Sequence, residues 1–215
     1  MVTLALTLAV NRYRVAFRKH GMTDQISKEH IAYLSQSALA FVDVEPEADL
    51  YLQIAELLKG FLGNAIVFVS AYDAAAGVLE QRATAGLSSR LLAIGETMGI
   101  RPSPMKMSAN PEALAQIETG RLSKIEEGLY ELCLRKVPKA VTQAVERLAN
   151  IRECYGMGCV AGGRCFGAIM VCLRGDTVLP PVEVVETFVY QAAVALKRRE
   201  AETALRQSEA RYRML

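Results

Sequence analysis

The sequence has no tryptophan and only 2 histidines among its 215 residues. This shortage argues against a multi-histidine metal centre and against a catalytic triad built on histidine. The 25 basic and 23 acidic side chains leave a formal net charge of +2. Nucleic-acid-binding domains usually carry a large basic excess, so we expect no nucleic-acid partner.

Long apolar runs are also absent, since no run reaches the roughly 20 residues that a transmembrane helix needs. Residues 1–10 (MVTLALTLAV) are apolar, and a basic patch of Arg12, Arg14, Arg18 and Lys19 follows them. This order is the reverse of a secretory signal peptide. The segment could be the end of a membrane helix, with the basic flank then marking the cytoplasmic side. It could also be an interfacial anchor or a helix that packs on a partner, and we favour the packing helix.

The 5 cysteines are odd in number and show neither a CxxC motif nor a zinc-ligand spacing. We therefore expect reduced thiols in a cytoplasmic protein. Cys154, Cys159, Cys165 and Cys172 crowd residues 151–174, and Cys133 precedes them. Free cysteine most often serves as a small buried hydrophobe, and we favour that role here.

Residues 151–174 contain two apolar runs on either side of Gly162 and Gly163. Two glycines between such runs predict a β-hairpin, because glycine accepts the positive φ of tight hairpin turns. Alternation places Cys154 and Cys159 on opposite faces, and Cys165 and Cys172 likewise. The glycines thin one face, as happens where a ligand or another backbone comes close. The alternative is a well-packed sheet core that binds no ligand.

The rest of the chain alternates between helical and strand patterns. Ser27 and Asp49 are suited to cap helices over 28–42 and 50–61. Further helices are predicted over 87–98, 112–119, 139–150 and from Val182 to the end, and strands over 64–73, 78–86, 122–125 and, at an edge, 100–107. This order predicts an α/β (α+β) domain with a central antiparallel sheet of about five or six strands. The first and last helices would cover one face, and the middle segments would arch over the other.

The last helix is too long and too charged for a single small domain. Residues 197–200 (KRRE) cannot lie in a core, and Leu205, Ser208, Tyr212 and Leu215 follow a 3-4-3 spacing beyond them. Such a helix is typical of one that pairs with a copy of itself. The sequence therefore predicts a homodimer formed through the terminal helices.

Several stretches resemble the GAF domain of microbial sensor histidine kinases, of the archaeal and bacterial GAF–PAS type. They are GNAIVFVSAYD (63–73), GLYELCLRKVPKAVTQAVERLANI (128–151), YGMGCVAGGRCFGAIMVCLRG (155–175) and QAAVALKRREAETALRQSEARYRML (191–215). The resemblance implies an N-terminal helical extension (1–27), a GAF sensory domain (28–200) and the linker helix and start of a following PAS domain (201–215).

The resemblance implies a sensory module that binds a small ligand or cofactor on its sheet and transmits a signal through its terminal helices. The implied partners are a small-molecule ligand, a second copy of the chain, and downstream PAS and kinase domains, with a membrane tether as an option at the N-terminus. Neither His20 nor His30 lies in a phosphoacceptor context, so we expect no enzyme activity from this chain by itself. Two alternatives are a ligand-free module for dimerisation and signal transmission, and a cysteine-based reductase.

The ligand is not identified by the sequence. Some related GAF sensors carry haem, whose iron takes His, Cys, Met or Tyr. The Cys-His pair and the Asp-Ile-Pro motif of bilin-binding GAF domains are absent. The candidate cofactor-binding residues are Cys133, Tyr130, Tyr155, Met107 and Arg152. Further polar candidates for holding a ligand are Ser70, Tyr72, Arg82, Lys106, Ser108, Glu127 and Glu131.

Overall fold

The computed structural model describes residues 27–45, 47–89, 91, 93, 106–108, 111–132, 135 and 137–213. The predictions for the apolar start, the basic patch, Cys133 and most of the helix over 87–98 lie outside these residues. No helix in this described part of the chain is both long and apolar enough to cross a membrane.

The described helices and strands follow the order that the sequence predicts, with one further short helix over residues 129–132 for which no prediction was made. The helices are α1 (Lys28–Val42), α2 (Leu50–Leu62), α3 (Pro111–Glu118), α4 (Leu129–Leu132), α5 (Lys139–Ala149) and α6 (Val182–Arg213). The strands are β1 (Ala65–Asp73), β2 (Val78–Ala85), β3 (Lys106–Ser108), β4 (Ser123–Ile125), β5 (Ile151–Ala161) and β6 (Arg164–Arg174).

The strands form one six-stranded sheet in the order β3-β2-β1-β6-β5-β4. Each neighbouring pair is antiparallel. This confirms the predicted fold class and the predicted sheet. The hairpin β5–β6 lies towards the middle of the sheet, and Gly162 and Gly163 at its turn have φ of 64° and 77°. Positive φ at both positions is typical of a type I′ hairpin turn.

Local signals explain where the first helices begin. The Ser27 hydroxyl accepts a hydrogen bond from the His30 amide at 3.3 Å, and the Asp49 carboxylate accepts one from the amides of Tyr51 and Leu52. These side chains satisfy amides that have no partner within the helix. Both caps are those predicted from the sequence.

One face of the sheet is covered by α1, α2 and α6. Its core includes Val67 and Val69 of β1, Ile169 and Val171 of β6, and Phe188 of α6, which is 0% exposed. Aromatic rings join the helices to one another, and the Tyr33 ring stacks on the Phe61 ring at 3.9 Å between centroids. We call this layer the helical face.

The charged middle of α6 is held by hydrogen bonds at the edge of the helical face. Arg198 donates to the carbonyls of Phe41 and Val42 at the end of α1, and Arg199 donates to the carbonyls of Glu45 and Ala48. Glu200 accepts from Arg164 of β6 at 2.7 Å. We call these contacts the collar. Because α6 continues without a break past the collar to Arg213, the predicted boundary between residues 200 and 201 lies inside one helix.

Candidate functional site

The sheet face opposite the helical face, which we call the second face, is built from rows of residues that lie side by side on neighbouring strands. Directly opposed residues of an antiparallel sheet point to the same side. The register aligns Ile66, Cys172, Cys154 and Ile125 in a first row, and Thr84, Phe68, Met170, Gly156 and Ser123 in a second. A third row contains Gln81, Ser70, Ala168 and Gly158.

The first row forms a small apolar cluster. Ile66, Cys154 and Cys172 are buried together with Leu132 of α4, and Ile125, Leu129 and Met170 pack against them. The sulfur atoms of Cys154 and Cys172 lie 3.0 Å apart. A short helix, α4, thus lies over two thiols in direct contact.

Where the second and third rows cross β5, both positions are glycines, Gly156 and Gly158, which have no side chain. A Cβ atom at Gly156 would lie 3.2 Å from Cδ1 of Ile125, and one at Gly158 would overlap the backbone carbonyl of Ile117 in α3. The close neighbour of this strand is therefore the backbone of α3, one of the two explanations that the sequence offered for these glycines.

The third row carries two almost completely buried polar side chains, Gln81 and Ser70. Gln81 and Ser70 are 3% and 1% exposed, and Gln81 donates to the Thr84 hydroxyl at 2.6 Å. The Ser70 hydroxyl has no hydrogen-bond partner among the described residues. A buried hydroxyl without a partner costs about 1–3 kcal/mol, so this position is one where a ligand could supply the missing bond.

A cleft of about 320 Å³ opens where the second face meets α4 and α5. It is lined by Lys124, Ile125, Glu126, Glu127, Gly128, Lys139, Gln143, Glu146, Ile151, Arg152, Glu153 and Cys154. Many of these charges pair with one another. Glu127 contacts both Lys139 and Arg135, Lys124 contacts Glu153 at 2.6 Å, and Glu146 accepts from the Leu129 amide.

The ion pairs also shift the pKa values of three of these groups. The hydrogen bond from Lys139 holds the pKa of Glu127 below its usual range. The hydrogen bond from Lys124, followed by that from Tyr155, lowers the pKa of Glu153, and the same contact raises the pKa of Lys124. The cleft wall therefore carries one ion pair within the edge of the sheet, ion pairs from the turn before α4 to Arg135 and to α5, and a hydrogen bond between α4 and α5.

Two of the predicted binding residues lie far apart on this side of the molecule. Met107 is buried on β3, opposite Leu79 at one edge of the sheet. Tyr130 lies in α4 beyond the other edge, and its ring contacts the Lys139 ammonium group at 5.5 Å.

The structure places the other two predicted residues at different sites, since Arg152 lines the cleft and Tyr155 lies on the helical face. Tyr155 packs against the helical core because it alternates with Cys154, and its hydroxyl donates to Glu153 at 2.9 Å. Arg152 is exposed and pairs with Asp176 at 3.3 Å. Cys133 is outside the described residues, and the four predicted residues that the structure describes do not lie together in one site.

The described residues likewise assemble no metal centre of three or more His, Cys, Asp or Glu side chains. For haem iron, the described part of the second face offers thiol and thioether groups, from Cys154, Cys172 and Met170.

The sequence missed the contact between Cys154 and Cys172. It placed Cys154 and Cys159 on opposite faces correctly, since Cys159 belongs to the helical core. A regular hairpin counted outward from the Ala161↔Arg164 pair would set Cys154 opposite Val171. The register shifts by one residue between Gly158 and Val160, and this β-bulge brings Cys172 opposite Cys154 instead.

Neither a protein-family model nor a curated protein matches the chain. Solved structures do. The GAF domain of a phosphoenolpyruvate-protein phosphotransferase from Coxiella burnetii is 14% identical with a TM-score of 0.56, over 81% of this chain and 96% of that one. The corresponding GAF domain from Acinetobacter is 10% identical with a TM-score of 0.54, over 82% and 97%.

Bacteriophytochrome RpBphP3 from R. palustris is 14% identical with a TM-score of 0.58, over 87% of this chain and 41% of that one. At such identities the similarity concerns the fold. The chain has the fold of a GAF domain.

Proposed function

We propose that this chain is a sensory module that binds a small ligand on the second face of its sheet. The observation that carries the proposal is the buried Ser70 hydroxyl, which has no hydrogen-bond partner among the residues that the structure describes. A protein that only needed a packed core would fill this position with an apolar side chain, because an unsatisfied hydroxyl lowers stability. A ligand with a hydrogen-bonding group at this point would offset that cost.

The same proposal assigns the output to α6. Its first half is buried against the sheet, where Phe188 and Val189 lie in the helical core, and its second half extends beyond the collar. A ligand changes the position of α6 only if it binds one arrangement of the helix more tightly than another. By resemblance, α6 would lead into a PAS domain and a histidine kinase, which would supply the catalysis that this chain lacks by itself.

Exposed apolar side chains support a second copy of the chain as partner. Ile31, Leu39 and Val42 lie on one side of α1 and are 57%, 64% and 51% exposed. On α6, positions 190, 194, 197, 201, 205, 208 and 212 form one stripe, which includes exposed Tyr190, Val194, Leu205 and Tyr212. The stripe follows heptad spacing with one four-residue insertion, a pattern that coiled coils accommodate by local unwinding.

The ligand is tested by native mass spectrometry of freshly purified protein, with hemin titration as a defined probe. We expect a bound mass, or a shifted Soret band, that is lost in Ser70→Val. Ser37→Ala is the matched control, because Ser37 is equally buried but lies in α1. Cys133→Ala tests separately whether that thiol ligates haem.

A wild-type protein without any bound mass or hemin shift would contradict ligand binding. The exposed stripes would then favour the second candidate function, a module that dimerises and transmits signal without a ligand.

The dimer is tested by sedimentation of Leu205→Glu, which places a charge on the stripe. We expect the dissociation constant to rise at least about tenfold, equivalent to about 1.4 kcal/mol. Gln207→Glu adds the same charge off the stripe and should leave association unchanged. Removal of residues 201–215 should weaken the dimer further, and unchanged sedimentation would contradict pairing through α6.

A further inference from the structure

Cys154 and Cys172 lie directly opposite each other on β5 and β6 and are almost completely buried, at 2% and 0% exposed. Their sulfur atoms are 3.0 Å apart. A disulfide requires about 2.0 Å between sulfurs and Cβ atoms about 4 Å apart, so a displacement of about 1 Å would join them. The two strands are already paired at this position, so only a small movement of the backbone is needed to bring the Cβ atoms within reach.

The other two described cysteines have different surroundings. Cys159 is 0% exposed in the helical core, and burial raises the pKa of its thiol. The Cys165 thiol donates to the Gly167 carbonyl at 3.2 Å, and burial raises its pKa as well. The nucleophilic form of cysteine is the thiolate, so both positions are poorly suited to react with an oxidant.

The cleft gives a small oxidant a route to the pair. Cys154 lines the cleft of about 320 Å³, together with Arg152 and Lys124, whereas Cys172 lies beside it in the interior of the sheet. Cys154 is therefore the sulfur that an oxidant would reach first, and Cys172 is the sulfur placed to react with the product.

We propose that Cys154 and Cys172 form a peroxide-responsive dithiol in the floor of the second face. The Cys154 sulfur attacks one oxygen of hydrogen peroxide, the O–O bond breaks, and the thiol proton leaves with the departing hydroxide as water. The Cys172 sulfur then attacks the resulting sulfenic acid, the S–O bond breaks, the S–S bond forms, and a second water carries away the Cys172 proton. Two thiols have lost two electrons to one peroxide, and a dithiol reductant reverses the change.

The bond would form directly under α4. Leu132 of α4 shares its cluster with both cysteines and Ile66, so shortening the sulfur–sulfur distance changes the surface on which α4 rests. This site is independent of the small ligand proposed above, since it needs only the two sulfurs and an oxidant.

The experiment is peptide mapping after exposure of the folded full-length chain to hydrogen peroxide. Trypsin leaves Cys154 and Cys159 together in peptide 153–164, and Cys165 and Cys172 together in peptide 165–174. A Cys159→Ala/Cys165→Ala variant therefore gives each peptide a single cysteine. We expect the two peptides to be linked, two hydrogens lighter than their sum, and separated again by dithiothreitol.

The matched control is Cys154→Ala/Cys172→Ala, which retains Cys159 and Cys165 and should give no linked peptides under the same treatment. Phenylarsine oxide, which bridges two adjacent thiols, should bind one equivalent of the first variant and none of the control at these positions. The proposal would be overturned by any of three results. These are a sulfinic acid on Cys154 without a linked peptide, a disulfide to Cys133, and thiols that stay unmodified in the folded protein. Wild-type protein digested further with chymotrypsin gives the same answer if a variant fails to fold.

Discussion

The two faces of this sheet differ in the size of their side chains and in how tightly these are packed. The helical face is filled by large side chains from α1, α2 and α6, and Ile54, Leu58 and Phe188 are 0% exposed. The second face has two glycines, two touching thiols, an unsatisfied hydroxyl and a cleft. A face that carries such costs in stability is the one where function is expected, whereas the first face holds the domain together.

The strongest test of this division removes a large side chain from the helical face. Phe188→Ala should lower the free energy of unfolding by about 3–5 kcal/mol, because the ring packs against Tyr33 and Phe41 and leaves a cavity. Chemical denaturation measures the change. Val178→Ala, at an 82% exposed position, should stay within about 0.5 kcal/mol of the wild type. Comparable losses for the two variants would contradict the assignment of the core.

A glycine on the second face should be nearly as sensitive, for a steric reason. Gly158→Ala should cost about 2–3 kcal/mol, because the new methyl group meets the Ile117 carbonyl and forces α3 away from β5. Gly60→Ala makes the same chemical change in α2, where nothing lies within 4 Å, and should stabilise by about 0.5–1 kcal/mol. Thermal unfolding of both variants tests the sign, and a neutral Gly158→Ala would mean that α3 does not rest on this strand.

Removal of the Ser70 hydroxyl should increase the stability of the protein, unlike the two preceding changes in the core and at Gly158. In protein stripped of any ligand, Ser70→Ala should raise the free energy of unfolding by up to about 1 kcal/mol, since it removes a buried hydroxyl for which the described part of the chain supplies no partner. On the helical side, the Oε1 atoms of Gln53 and Gln191 also lack a partner among the described residues, but both belong to half-buried side chains, whereas Ser70 is 1% exposed. Urea unfolding measures the difference, and a clear destabilisation would show that the hydroxyl is satisfied within the protein.

The smallest effect concerns charge at the edge of the second face. Lys139→Met should raise the pKa of Glu127 towards its ordinary value, because the hydrogen bond from Lys139 is the main cause of the lowered pKa. A carboxyl group with a lowered folded-state pKa stabilises above its unfolded pKa, and this contribution is lost as the pH falls through the folded value. Carboxyl NMR titration reads the shift, and an unchanged pKa would leave the other partner, Arg135, as its cause.

The helical face was largely predictable from the sequence, and the second face was not. The pattern from Lys28 to Val42 and the cap at Ser27 are local signals, and the structure reproduces both. The contact of Cys154 with Cys172 depends on a β-bulge, and the isolation of Ser70 depends on what every neighbouring strand places beside it. Such features arise from tertiary register, which local patterns do not encode.

Among the predicted binding residues, Tyr155 shows the same limit. It was a predicted binding residue because its phenol can ligate iron, but alternation along β5 directs its side chain to the helical face, away from Cys154. The prediction that another group lies close to the glycines of β5 is confirmed, and the structure shows that at Gly158 this group is the backbone of α3.

The collar holds the last helix at one point, about which the helix can tilt. Hydrogen bonds and an ion pair fix α6 at residues 198–200, with the sheet on one side of that point and solvent on the other. Residues 201–213 extend about 20 Å beyond it at about 1.5 Å per residue, so a tilt of about 5° displaces the far end by nearly 2 Å. The part of α6 before the collar, from Val182 to Lys197, is about 24 Å long, so a shift of about 2 Å at the start of the helix reaches its far end with nearly the same size.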